Sequence, residues 1–186
     1  MQVHTTPLPG LLVIEPRVFA DARGFFLETF HADKFAEHGL PGTWLQDNLS
    51  RSSRGTLRGL HYQRQHPQGK LVYVTRGAVW DVAVDLRRQS PTFGQWFGTE
   101  LNAENHRQMY VPVGFAHGFC VLSESADFAY KCTDLYRPTD ERTLLWNDPE
   151  LGIAWPDVEP RILSSKDQQG LPLARADVFE ELTVTH

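Results

Sequence analysis

Apolar and aromatic residues recur along this chain in short runs broken by Gly and Pro. The runs are Leu11 to Val18, Gly24 to Phe30, Thr43 to Asn48, Gly55 to Tyr62, Leu71 to Thr75, Ala78 to Asp85, Gln95 to Leu101, Gln108 to Val111, Gly118 to Leu122, Phe128 to Thr133 and Thr143 to Trp146. Eleven segments of strand length with turn residues between them predict an all-β sandwich or barrel. Helical spacing is weak, with His31 to His38, closed by Gly39, and Asp177 to Leu182 as the two candidates. In Val79 to Leu86, alternation puts Asp81, Ala83 and Asp85 on one face and Trp80, Val82, Val84 and Leu86 on the other, the pattern of a half-buried strand. No linker divides the chain. A single domain over 1–186 is expected, with its core in about 7–170 and a peripheral tail over 171–186.

Composition narrows this without changing it. At 186 residues the chain is long enough for one substantial core and cramped for two. With 41% hydrophobic and 22% charged residues it reads as globular, with disorder confined to the ends. Met1 to Gly10 carries no basic region, and the apolar run Leu11 to Ile14 is too short for a signal segment or a membrane span. The expectation is a soluble, cytoplasmic protein with no membrane partner. Cys120 and Cys132 both lie in apolar strand-like text and read as buried reduced thiols.

Charge changes the picture more. From Asn48 to Trp80, 33 residues contain no Asp or Glu but include Arg51, Arg54, Arg58, Arg64, Lys70 and Arg76. The window is +6 in a chain of −5, so the remainder carries −11. Such an imbalance makes the window a candidate anion site, set against a solvated basic face or a stripe for nucleic acid. A pI near 5.9 and confinement of the cations to one hairpin-sized region argue against nucleic acid. A small phosphorylated ligand fits better, and since no Gly-rich phosphate loop occurs, arginine side chains have to hold it.

His61 lies within that window. Strict strand alternation groups it with Leu57, Gly59 and Gln63, while Arg58, Leu60 and Tyr62 face the other way. Arg58 and His61 therefore share a pocket only if Gly59 permits a bulge, or if Arg58 reaches in from a rim or a second chain. A second histidine, His117, follows the turn Pro112-Val-Gly114, and Pro-x-Gly-x-x-His resembles the second motif of the cupins. The first cupin motif is not met: His61-Tyr62-Gln63 replaces His-x-His and no acid follows it until Asp81, so no bound metal is expected. By themselves, Tyr130-Lys131 reads as a strand tyrosine beside an exposed lysine, and Lys166-Asp167 as surface loop.

Asp21-Ala-Arg-Gly-Phe-Phe-Leu-Glu28, Gln46-Asp-Asn48, Leu57-Arg-Gly-Leu-His-Tyr-Gln63, Gln68-Gly-Lys-Leu-Val72, Asp81 to Arg87, Ser90 to Gly94, Pro112 to Phe119, Tyr130-Lys-Cys-Thr133, Trp146-Asn-Asp148, Trp155-Pro156 and Leu163 to Asp167 stand in that order. Together they resemble the dTDP-4-dehydrorhamnose 3,5-epimerases, cupin-type enzymes of deoxysugar biosynthesis. The resemblance implies a jelly-roll barrel or sandwich with a few short peripheral helices and a dTDP-4-dehydro-6-deoxyglucose substrate inverted at C3 and C5. It also implies no cofactor and a homodimer with exchanged strands. By the same resemblance His61 is the base, Tyr130 the opposing acid, Asp167 the partner of the base, and Lys70 the donor to the enolate oxygen. Arg23, Glu28, Gln46, Asp47, Asn48, Arg58, Lys70, His117, Glu141 and Lys166 would bind substrate, with Arg23 and Arg58 on the diphosphate. Alternatives are a single-site epimerase of another deoxysugar route, a non-catalytic nucleotide-sugar binding module, and a metal-dependent cupin.

Overall fold

The computed structural model describes residues 1–180 and 182. Among them the chain runs through β1 (Gln2–Thr5), β2 (Leu12–Glu15), β3 (Val18–Asp21), β4 (Gly24–Leu27), α1 (Ala32–Ala36), β5 (Gln46–Ser53), β6 (Leu57–Gln63) and β7 (Lys70–Arg76). It continues through β8 (Ala78–Asp85), β9 (Trp96–Asn102), β10 (Gln108–Val111), β11 (Phe115–Val121), β12 (Ser125–Cys132), β13 (Glu141–Thr143), α2 (Ser165–Gln168) and a 3-10 turn at Leu173–Arg175. Two antiparallel sheets result, one ordered β1-β2-β10-β7-β12-β5 and the other β13-β6-β11-β8-β9, with β3 and β4 forming a separate hairpin. This is the expected all-β sandwich with two short helices.

Period-two alternation sends one face of each sheet inward. Val72 and Val74 of β7, Met109 of β10 and Phe128 of β12 meet Val79 and Ala83 of β8 and Phe119 of β11 in one buried cluster. Phe119 and Phe128 stack across the sandwich with ring centroids 4.1 Å apart. Such a contact contributes about 0.5 to 1.5 kcal/mol beyond area burial. On the outer face of the six-stranded sheet, Phe35 of α1 packs on Ile14 and Leu71. That helix ends as its sequence predicts, with Gly39 at φ 71° and the Leu40 N–H donating to the Phe35 carbonyl. The outer face of the five-stranded sheet is covered by the segment after Leu171, where Leu173, Val178 and Phe179 are buried against Leu60, Val82 and Leu144.

Several elements differ from the sequence expectation. The run Leu11 to Val18 is two strands, β2 and β3, parted at Pro16, which has no N–H for a ladder. β1 was not anticipated, because Gln2-Val-His-Thr5 is a mostly exposed edge strand with no apolar alternation. The last strand is Glu141–Thr143 rather than Thr143 to Trp146. Residues 177–180 are not helical; Phe179 bridges to Arg87, while Glu181 lies outside the described residues. β8 is buried on both faces, not half-buried, with Asp81 and Asp85 fully inaccessible. Each carboxylate is compensated: Asp85 takes two hydrogen bonds at 2.8 Å from the Arg87 guanidinium plus the Ser90 and Thr92 hydroxyls, and Asp81 faces His117.

Candidate active site

The sandwich opens into a cavity of about 370 Å³ between the sheets. Gln46 and Asn48 of β5, Lys70 of β7 and Tyr130 of β12 line it from one sheet; Arg58 and His61 of β6 and His117 of β11 line it from the other. Glu141 and Lys166 complete its wall, and Phe119 and Phe128 contribute apolar surface.

Arg58 and His61 reach the same space through a bulge. In the β6–β11 ladder His117 opposes His61 and Phe119 opposes Arg58, so β6 carries one residue more than β11 between these pairs. Gly59 sits there with φ 133°, and a Cβ on it would fall 2.6 Å from the Gly118 Cα. Only glycine supplies that backbone angle and that approach at no steric cost.

His61 Nε2 lies 2.6 Å from Asp167 Oδ1, linking residues 106 positions apart. Asp167 is 3% exposed, so the surface-loop reading of Lys166-Asp167 gives way to a buried acid carried on α2. Its carboxylate also accepts from the Ser164 hydroxyl at 2.6 Å and from the Gly59 N–H at 3.3 Å. Burial pushes the Asp167 pKa up, but the hydrogen bonds from His61 and Ser164, the His61 charge and the Gly59 N–H outweigh it, leaving it at about 2. An ionised Asp167 assigns the ring proton to Nε2 and leaves the His61 Nδ1 as a proton acceptor. Burial lowers the His61 pKa below its usual value; the Asp167 hydrogen bond opposes this, and the charges on Lys166 and Lys70 reinforce it. Near neutrality the ring is therefore an unprotonated base.

On the facing sheet, burial raises the Tyr130 pKa, so the phenol keeps its proton. Burial lowers that of Lys70, against the opposing pull of Cys132, Glu141 and Asp81. His117 is held by Asp81, with Nε2 2.9 Å from Oδ1, and stacks on Phe128. Lys166 Nζ donates to both Glu141 oxygens at 2.9 Å, and the Tyr136 hydroxyl donates to Glu141 at 3.0 Å. Gln46 and Asn48 are joined side chain to side chain at 2.9 Å.

Of the other cations in the acid-free window, Arg51 pairs with Asp127, Arg64 pairs with Asp177, and Arg54 donates to the Leu122 carbonyl. Arg58 and Lys70 are the two that line the cavity. Three residues named by the resemblance lie away from the cavity in this chain. Asp47 points out of the sheet and pairs with Lys131, Glu28 pairs with Lys34, and Arg23 sits at the exposed tip of the β3–β4 hairpin beside Asp21. Sequence reasoning missed Ser164, Tyr136 and the partnership of Asp81 with His117. Ser164 alone had a local signal, a serine three residues before an acid at a helix start. No group of three or more His, Cys, Asp or Glu side chains arranged to hold a metal occurs among the described residues.

The cavity of this β-sandwich sets an unprotonated imidazole on one sheet against a protonated phenol on the other with Arg58 and Lys70 beside them, an arrangement suited to acid–base chemistry on an anionic ligand. The chain belongs to the dTDP-4-dehydrorhamnose 3,5-epimerase family, whose model matches residues 5–175. A dTDP-4-dehydrorhamnose 3,5-epimerase of Pseudomonas aeruginosa is 57% identical over 180 residues, covering 96% of this chain and 99% of the relative. A crystal structure of the Legionella pneumophila dTDP-6-deoxy-D-glucose-3,5-epimerase with dTDP-4-keto-L-rhamnose superposes with a TM-score of 0.95 at 49% identity, covering 98% of this chain and 99% of that one. A dTDP-4-dehydrorhamnose 3-epimerase of Streptomyces niveus is 44% identical over 178 residues, 95% of this chain and 86% of the relative.

Proposed function

We propose that this protein inverts C3 and C5 of dTDP-4-dehydro-6-deoxy-D-glucose to give dTDP-4-dehydro-L-rhamnose, with no metal or cofactor. The observation that carries this is the placement of the His61–Asp167 pair and Tyr130 on opposite sheets of one cavity. Both inverted carbons flank the C4 ketone, so loss of either proton gives an enolate. His61 takes the proton from one face, and Asp167 stabilises the imidazolium that forms. Lys70 donates to the enolate oxygen, and its lowered pKa brings it closer to that of the enol. Tyr130 returns a proton from the other face. A positioned acid or base contributes about 10²- to 10⁴-fold, and an oxyanion donor about 3 to 4 kcal/mol. Arg58 meets the diphosphate, and Gln46, Asn48, His117, Glu141 and Lys166 shape the rest of the cavity.

The reading extends to a homodimer. Among the described residues the β3–β4 hairpin pairs only with itself, and it exposes Phe19, Phe25 and Phe26, the last at 68%. Burying those rings against a second copy would let the hairpin of one protomer carry Arg23 and Glu28 toward the cavity of its partner. Asp47 would bind through the outer side of β5. Free thiols at Cys120 and Cys132 fit a reducing compartment, and we place the protein in the cytoplasm.

A single inversion is the second reading, favoured by the similarity to the Streptomyces niveus 3-epimerase. Incubation with the 4-keto sugar nucleotide in deuterated water, followed by proton NMR, separates the two. Exchange at both C3 and C5 with double inversion is expected. Exchange at one carbon supports the single-site reading, and none at either sinks both.

A further inference from the structure

We propose that Ser164 is a positioning residue for proton transfer, its hydroxyl clamping the Asp167 carboxylate so that Oδ1 stays aimed at His61. The inference deepens the epimerase reading and rests on it. Ser164 is the N-cap of α2, a helix of four residues. Its hydroxyl oxygen accepts from the Asp167 N–H at 3.2 Å and its proton goes to Asp167 Oδ2 at 2.6 Å. One hydroxyl is thus both cap and clamp. In the usual capping box the residue three positions on is a Glu or Gln that reaches back to the cap's own backbone N–H. Here the acid is the shorter Asp167, which takes the cap hydroxyl on one oxygen and turns the other forward to His61 and the Gly59 N–H.

With its two oxygens tied on different sides, the carboxylate plane cannot rotate, and the His61 proton stays on Nε2. Ser164 itself is at the surface, so its side chain can be changed without disturbing the core. Lys166, clamped to Glu141, anchors the same turn from the cavity side.

The test uses Ser164→Ala, Ser164→Asp and Ser164→Thr in the full chain. Aspartate caps a helix as well as serine does but has no proton for Oδ2 and places a like charge beside it. Loss of one charge-assisted hydrogen bond is expected to lower kcat about ten- to a hundredfold in the alanine and aspartate variants, with KM little changed. Threonine keeps the hydroxyl and should restore the rate. Because the Asp167 bond raises the His61 pKa, the acid limb of the alanine variant's pH profile should move to lower pH, which a merely structural role would not produce. Alanine turning over like wild type, or aspartate matching wild type while alanine is slow, would overturn the clamp. Imidazole 15N shifts of the resting protein give a readout without substrate: His61 protonated only on Nε2 in wild type and on both nitrogens in turn in the alanine variant. Unchanged shifts reject the inference alone, whereas a wild type with no C3 or C5 exchange rejects the epimerase reading.

Discussion

Arg58 and His61 lie three positions apart on β6 and still face the same cavity, because the strand carries one extra residue between them. The bulge brings a guanidinium and an imidazole into one space, and it depends on a glycine lying against Gly118 of the next strand.

Gly59→Ala is therefore expected to lower stability by roughly 2 to 4 kcal/mol, the combined scale of a side chain at positive φ and of overpacking against backbone. Urea unfolding measures this. A midpoint within error of wild type would contradict the contact between the two strands.

Tyr130→Phe removes the hydroxyl proposed as proton donor and leaves His61, the proposed base, in place. Inversion should fall about 10²- to 10⁴-fold, while deuterium continues to enter the substrate from the His61 face with retained configuration. Loss of exchange in step with inversion would assign Tyr130 to some other task.

The pH dependence has a definite sign. His61 and Asp167 both have folded pKa values below their unfolded ones, so their contribution to stability is present at neutral pH and is lost on acidification. For His61 the loss begins below about 6.5 and for Asp167 below about 3.9, where the unfolded groups take up protons. Activity should hold through neutrality and decline with an apparent pKa under 6.5 as the base is protonated. An acid limb above 7 would refute the lowered His61 value.

Phe25→Ser together with Phe26→Ser strips apolar area from the hairpin tip. On the proposed dimer, sedimentation should show a monomer for the double variant where wild type gives a dimer, and turnover should fall with the loss of the proposed contribution of Arg23 and Glu28 to the second cavity. A dimer of unchanged stability in the double variant would place the interface elsewhere.

Much of this architecture is written in local pattern. Residue alternation marks most strands, since side chains on a strand point to opposite faces at every second position whatever the fold. The acid-free window and the glycine at 59 mark the stretch that supplies the cavity's Arg58, His61 and Lys70 and the place where its strand bulges. Edge strand β1 and the short helix α2 escaped because neither has an apolar face long enough to read. The two buried faces of β8 escaped because nothing in Asp81-Val-Ala-Val-Asp85 states that a histidine and an arginine will hydrogen-bond its carboxylates.

The sequence by itself determined the class of fold, the place of the cations and, through ordered motifs, the family. Only the tertiary structure decided that Asp167 is buried against His61 across 106 residues, that Arg58 and Lys70 line the cavity while Arg51 and Arg64 are spent on surface pairs, and that Arg23 and Glu28 stand outside it. The physical reason is that periodicity records how each residue meets its neighbours along the chain. Desolvation and hydrogen bonding, which set pKa values and roles, depend on what closes over a residue from the facing sheet.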